Sequence, residues 1–254
     1  MGMDVGSPLD LVVKGAAATL TLNRPDRRNA IDSALITALH RALDVVERSP
    51  EVRVLRLGHR GPWFCSGMDF DDLDGSAEPA VDAGEFFAVL ERIACGDVAT
   101  IAVVGGQVAG GGVGLVAACD TVLAASDATF ALPEALWGLL PAAVYPFLRR
   151  RIGPGPARHL ALSARTLTAV DAARLGLVDE VSDRLEHAAT AATRQTVRID
   201  RETIARIKAY TNTYDPLPAD ARTRAATALA GAMRAPGVVP RIERWTRTGR
   251  LPWE

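Results

Sequence analysis

Apolar residues along this chain change spacing in a regular way. Leu11-Val12-Val13 and Ala18-Thr19-Leu20-Thr21-Leu22 flank a turn and predict an opening hairpin. Residues 32–47 carry Leu35, Ile36, Leu39, Leu43 and Val46 at helical spacing behind Asp32 as N-cap. A strand over 52–57 and a Gly/Pro-rich turn over 58–62 precede Trp63-Phe64-Cys65-Ser66-Gly67-Met68-Asp69-Phe70, and a helix is predicted over 81–93. The strand Ile101-Ala102-Val103-Val104 leads through a glycine-rich run into an Ala/Val/Leu-rich helix, with a strand at 121–124 and an extended piece at 129–132 beyond it. From about residue 188 the pattern is mostly helical, with 204–210 and 219–234 as candidates and a break at Pro216-Leu217-Pro218. Strand-then-helix alternation is the mark of an α/β chain. Residues 1–195 read as its core and 196–254 as a C-terminal helical region.

Composition narrows the picture. With 254 residues, 48% hydrophobic and a net charge of -1, the chain suits one large domain, or one domain with an appendage. No apolar run approaches the roughly 20 residues of a membrane span, and Met1-Gly2-Met3-Asp4-Val5 lacks the pattern of a signal peptide. A cytoplasmic protein without membrane partners is expected. Cys65, Cys95 and Cys119 are odd in number and lack metal-ligand spacing, and His40, His59, His159 and His187 are scattered, so reduced structural thiols and no metal site are expected. Arginine outnumbers lysine 27 to 2, but the basic residues are dispersed among acids, which argues against nucleic acid as a partner.

Three stretches carry candidate chemistry. The run Gly105-Gly106-Gln107-Val108-Ala109-Gly110-Gly111-Gly112-Val113-Gly114 puts bare backbone at a helix N-terminus, where free N–H groups and the helix dipole favour negative charge. Gly112-Val113-Gly114-Leu115-Val116-Ala117 formally fits a dinucleotide fingerprint, yet six residues separate Val104 from Gly111 and the run lies mid-chain. No Lys-Ser/Thr follows the glycines, which disfavours a phosphate-binding loop. In Phe64-Cys65-Ser66-Gly67-Met68-Asp69 the glycine either relieves a tight bend or exposes backbone to a ligand. In Leu132-Pro133-Glu134-Ala135-Leu136-Trp137 a lone carboxylate stands among apolar neighbours. Glu134 is either a solvated surface group or faces a pocket walled by Leu132, Leu136 and Trp137, where desolvation raises its pKa towards the range useful for proton transfer. Two glycine-rich backbone sites and one proton-transfer carboxylate are together what enolate chemistry requires.

At these residues the sequence resembles the crotonase (enoyl-CoA hydratase/isomerase) family. The matching pieces are Leu22-Asn23-Arg24-Pro25-Asp26-Arg27-Arg28-Asn29-Ala30, Phe64-Cys65-Ser66-Gly67-Met68-Asp69, Ala109-Gly110-Gly111-Gly112 up to Cys119-Asp120, and Leu132-Pro133-Glu134 with Gly138 and Pro141. The resemblance implies a spiral of ββα units with a C-terminal helical trimerisation region, assembled as a homotrimer or hexamer. It places the N–H groups of Met68 and Gly111 at the oxyanion hole for a thioester carbonyl and makes Glu134 the acid/base. Ser66, Gly67, Asp69, Gly110, Trp137, Arg28 and Lys208 are then substrate-binding, with Arg27 or Arg28 facing a coenzyme A phosphate or the acidic surface of a carrier protein. No cofactor is implied beyond coenzyme A or phosphopantetheine as substrate carrier.

One departure bears on the reaction. Hydratases of the family hold water between two glutamates twenty residues apart, and here Gly114 stands at the first position and Glu134 at the second. A single glutamate suits double-bond isomerisation or a one-base elimination. Residues 64–70, 109–120 and 136–153, with the ending Thr248-Gly249-Arg250-Leu251-Pro252-Trp253-Glu254, are similar to the dehydratases of polyketide β-branching cassettes. That similarity implies a lyase dehydrating a 3-hydroxy-3-methylglutaryl-type thioester on an acyl carrier protein. An enoyl-thioester isomerase and a non-catalytic carrier-protein-binding scaffold are the alternatives.

Overall fold

The computed structural model describes residues 8–70 and 81–249; residues 250–254 of the resembling C-terminal run lie outside them. The chain opens with β1 (Leu9–Lys14) and β2 (Ala17–Leu22), an antiparallel hairpin as the pattern predicts. A 3-10 turn (Pro25–Arg27) leads to α1 (Ser33–Glu47), whose N-cap Asp32 accepts a hydrogen bond from Leu35 N–H at 2.7 Å. Then the chain repeats one unit. β3 (Val54–His59) and β4 (Trp63–Cys65) are followed by α2 (Ala83–Cys95). β5 (Ala99–Val104) and β6 (Gln107–Ala109) are followed by α3 (Gly111–Ala118). β7 (Thr121–Ala124) and β8 (Thr129–Ala131) are followed by the short helix α4 (Glu134–Trp137).

Each unit gives its first strand to one sheet and its second to another. The first sheet has the order β1-β2-β3-β5-β7 and ends on β10 (Glu180–Val181); the second has the order β4-β6-β8 and ends on β9 (Thr166–Thr168), antiparallel to β8. The pairs β3·β5, β5·β7, β4·β6 and β6·β8 are all parallel. This is the ββα spiral implied by the resemblance, and the fold is of the crotonase class. The hydrophobic pattern alone does not disclose β4 and β6, because three residues are too few to establish a period of two.

The remaining helices close the spiral: α5 (Tyr145–Ile152), α6 (Pro154–Ser163), α7 (Ala169–Arg174) and α8 (Leu185–Thr196). α9 (Arg201–Asn212) and α10 (Ala221–Met233) return to pack on α2, and α11 (Val238–Thr248) lies on α4. The contact of α11 with α4 is aromatic: the rings of Trp245 and Trp137 lie 5.3 Å apart edge to face, and Phe70 lies 6.3 Å from Trp245. None of the helices among the described residues is long and apolar enough to cross a membrane.

Lys208 is where the sequence expectation fails. Instead of reaching substrate it is buried, donating from Nζ to Ile93 O at 3.0 Å, Val98 O at 3.1 Å and Asp120 Oδ2 at 2.8 Å. Asp120 Oδ2 also accepts from Thr100 N–H and Thr100 Oγ1. A compact three-donor ammonium meets three converging oxygens. The bond ties α9 to the end of α2, the approach to β5 and the end of α3. The cysteines divide as well: Cys65 and Cys119 are buried, with thiols pushed up to about 12 by burial, whereas Cys95 is exposed at the end of α2 rather than a buried structural thiol.

Lys208→Met should lower the unfolding free energy by about 3 kcal/mol or more, because it strips Asp120 and two carbonyls of their shared donor. Lys208→Arg should fail to restore it. Urea denaturation of both variants measures the loss.

Candidate active site

The candidate residues lie just beyond the carboxyl ends of three neighbouring parallel strands: Met68 after β4, Gly111 after β6 and Glu134 after β8. Register brings them together, with Cys65 opposite Val108 and Ala109 opposite Ala131. Gly110 N–H continues the ladder by donating to Ala131 O at 3.0 Å.

Met68 is held by a single parallel bridge to Ile31. Ile31 N–H donates to Gly67 O at 2.8 Å and Asp69 N–H donates to Ile31 O at 2.9 Å. Since its two neighbours make those bonds, the N–H of Met68 points away from Ile31, and no acceptor among the described residues takes it. Gly111 is the first residue of α3, so its N–H has no intrahelical acceptor. Gly67 has φ +89° and Gly110 φ +51°, both in the left-handed half that glycine occupies freely. A Cβ on Gly67 would lie 3.1 Å from Ala109 O, 3.2 Å from Gly111 N and 3.3 Å from Gly110 Cα. Backbone therefore packs on backbone here, and the amides of Met68 and Gly111 are brought side by side. This arrangement suits one oxygen on which negative charge develops.

Glu134 completes the constellation. A Cβ on Gly110 would lie 3.4 Å from its Oε1, which places the carboxyl beside the paired amides. Oε2 is buried without a hydrogen-bond partner among the described residues. Burial pushes the carboxyl from 4.5 up to about 7, its own backbone N–H offsetting this only in part. The chamber in front of it is formed chiefly by Ile31, Phe86, Trp137, Leu139, Val144 and Leu229, with Ser66, Gly67, Met68, Gly110 and Gly111 along one side. It is partly open to solvent, and among its described lining Glu134 is the single ionisable side chain. Of the walls suggested by sequence, Trp137 lines the chamber, whereas Leu132 and Leu136 do not. Leu132 is fully buried in the core. Ile31, Phe86 and Val144 line the chamber without having been named as site residues; Ile31 adjoins the matching piece Asn29-Ala30 and Val144 lies within the similar run 136–153.

Other expected residues stand back from the chamber. Asp69 is buried with Oδ2 3.0 Å from Arg27 Nη2 and supports the loop rather than lining the site. Arg28 accepts from Ser66 N–H through its carbonyl oxygen at 3.1 Å, while its exposed guanidinium lies 5.8 Å from the Trp63 ring centre. Arg28 thus borders Ser66 without lining the chamber. Gly114 is buried, and a Cβ there would meet Leu90 Cδ1 and Val144 Cγ2, each at 3.0 Å. A second carboxylate at this position would need these two side chains to give by a few tenths of an ångström.

Comparison with known proteins bears on the family and the fold. The enoyl-CoA hydratase/isomerase family model matches residues 13–231. The bacillaene synthase dehydratase PksH of Bacillus subtilis is 30% identical over 239 residues, 92% of either chain. A crystal structure described as a polyketide-biosynthesis enoyl-CoA hydratase of Bacillus subtilis superposes with a TM-score of 0.90 at 28% identity, covering 96% of this chain and 98% of its own. An enoyl-CoA hydratase of Mycobacterium avium superposes with a TM-score of 0.86 at 30% identity, covering 98% of this chain and 100% of its own.

Gly67→Ala should lower kcat by about 10²-fold or more, because the added methyl enters the space beside the Gly111 amide. Left-handed backbone at an alanine adds a stability loss of about 1–2 kcal/mol. Steady-state kinetics and thermal melting separate the two effects. Glu134 gives a second expectation. The folded chain keeps this proton up to about pH 7, whereas the unfolded chain releases it near 4.5. Its contribution to stability is therefore complete below about 4.5 and is lost as pH rises through 7. Glu134→Gln should be inactive, yet more stable than the parent above pH 7 by up to on the order of 3 kcal/mol, with the gap closing on acidification. Denaturant titrations at several pH values test this.

Proposed function

The chain belongs to the enoyl-CoA hydratase/isomerase family, and from that premise we propose that it is a dehydratase of a 3-hydroxyacyl thioester, of 3-hydroxy-3-methylglutaryl type and carried on an acyl carrier protein in polyketide biosynthesis. Glu134 carries this reading, as the one ionisable side chain of the described chamber lining, beside two free backbone N–H groups. PksH, the relative at 30% identity, is itself named a dehydratase of bacillaene synthase.

The chemistry follows from the three groups. The thioester carbonyl accepts hydrogen bonds from Met68 N–H and Gly111 N–H. Ionised Glu134 removes the proton from the α-carbon, and charge moves onto the carbonyl oxygen between the two donors; such donors are worth about 3–4 kcal/mol each to the transition state. The enolate then expels the β-hydroxyl, which leaves as water with the proton from Glu134. A new α,β double bond forms, and Glu134 returns to its carboxylate. Because one carboxyl performs both transfers, proton and hydroxyl leave from the same face. Glycine in place of a carboxylate at 114 favours this one-base route over a water held between two carboxylates. The partner is thus an acyl thioester presented on a pantetheine arm, and the catalytic unit is a homotrimer or hexamer.

Incubation with 3-hydroxy-3-methylglutaryl-carrier protein should give the 3-methylglutaconyl product, followed by the acyl mass. Absence of water loss, together with double-bond migration in a β,γ-enoyl thioester, overturns the dehydratase reading in favour of an isomerase. Glu134→Ala should lower turnover at least ~10²-fold; unchanged turnover removes the basis for Glu134 as the acid/base, and no turnover in the parent on either substrate points to the non-catalytic scaffold. In the parent, kcat/KM should rise with pH to a plateau, with its midpoint near the value of about 7 for Glu134.

A further inference from the structure

Buried polar side-chain atoms nearly always find a partner, so those that do not, where they border a chamber, are candidates for a partner supplied by a ligand. Among the described residues two such atoms belong to residues that line the chamber: Glu134 Oε2 and Trp137 Nε1. Both come from α4, three positions apart, and residues at that spacing share a helix face. Trp137 is only 7% exposed and is wedged against Trp245 and Phe70, so its ring has little freedom to turn its N–H to water. The two orphans are chemically complementary. An indole N–H can only donate, and a carboxylate only accepts, while its protonated form donates. The group that satisfies both is a hydroxyl, which accepts from one neighbour and donates to, or accepts from, the other.

We propose that Trp137 Nε1–H is the anchor for the substrate's β-hydroxyl, a specificity-determining donor that holds the leaving oxygen against Glu134. This rests on the dehydratase reading above and deepens it. In the ground state the hydroxyl accepts from Trp137 and donates to the Glu134 carboxylate. After the α-proton has passed to Glu134, the carboxylic acid donates to that oxygen as the carbon–oxygen bond breaks, and the indole N–H bears on the same oxygen as its charge grows. Trp137 gives up no proton, so the balance of the elimination is unaltered. In a chamber whose described lining holds one carboxylate, this donor does part of the positioning that a second carboxylate would otherwise do.

The probes are 3-hydroxy-3-methylglutaryl-pantetheine and 3-methylglutaryl-pantetheine, which differ only in the β-hydroxyl. Trp137→Phe keeps the aromatic packing and removes the donor. The parent should bind the hydroxylated probe about tenfold more tightly than the other, and Trp137→Phe should lose that preference and lower kcat by about tenfold or more. A purely structural role for the indole would weaken both probes equally and leave the preference intact, which overturns the proposal. Should Trp137→Phe fail to fold, the indole N–H resonance decides instead. In Glu134→Gln the Trp137 signal should move downfield with the hydroxylated probe and not with its deoxy counterpart; no difference between them also overturns the proposal. Failure of the parent to release water from the hydroxylated substrate is a separate outcome, which refutes the dehydratase reading itself.

Discussion

The site depends on one contact: the chain at Gly67 pressed against the chain at 109–111 with no side chain between them. Backbone carbonyl, amide and Cα sit where a methyl group would lie, at 3.1 to 3.3 Å from an added Cβ. Bare backbone is the only means of bringing two loop amides this close, and positive φ at both glycines turns them into position. α3 is held equally tightly, since a Cβ on Gly112 would lie 2.7 Å from Cys65 O. Two donors fixed by the sheet before substrate arrives need not reorganise when charge appears, which is where their strength comes from.

Around that contact the fold uses its repetition economically. Three successive ββα units end their second strands at one edge, and each delivers one functional group there: an amide, an amide and a carboxyl. The cost is local. A carboxyl in an apolar chamber opposes folding once ionised. Lys208 with Asp120 and Thr100 ties α9 to the spiral, while α2 and α10 pack on each other and also give Phe86 and Leu229 to the chamber.

Much of this was legible in the chain. α1 with its Asp32 cap, the hairpin, and the strands β5 and β7 stand out because long apolar periods and a capping residue act locally. β4 and β6 are invisible to periodicity, since three-residue strands are defined by their partners across the sheet. Glycines 67, 110 and 111 announced exposed backbone, but whether they relieved bends or faced a ligand depended on register between strands more than forty residues apart. Glu134 was visible as a lone carboxylate among apolar residues. Lys208 misled because only the resemblance made it substrate-binding, whereas its three oxygen partners come from 88 to 115 residues away. Leu132 misled for a simpler reason: an apolar neighbour in sequence need not share the wall of a pocket.

Gly114 has one more consequence. The side chains that occupy its front, Leu90 and Val144, come from a helix and a loop in the main core and are themselves buried. A side chain at 114 needs both to give by a few tenths of an ångström. Enlarging residue 114 alone crowds the interior, and trimming Leu90 or Val144 alone hollows it, each with its own stability cost. What residue 114 can carry is thus set by ordinary hydrophobic packing from α2 and from the loop before α5, with no polar atom among the nearest contacts of a Cβ there.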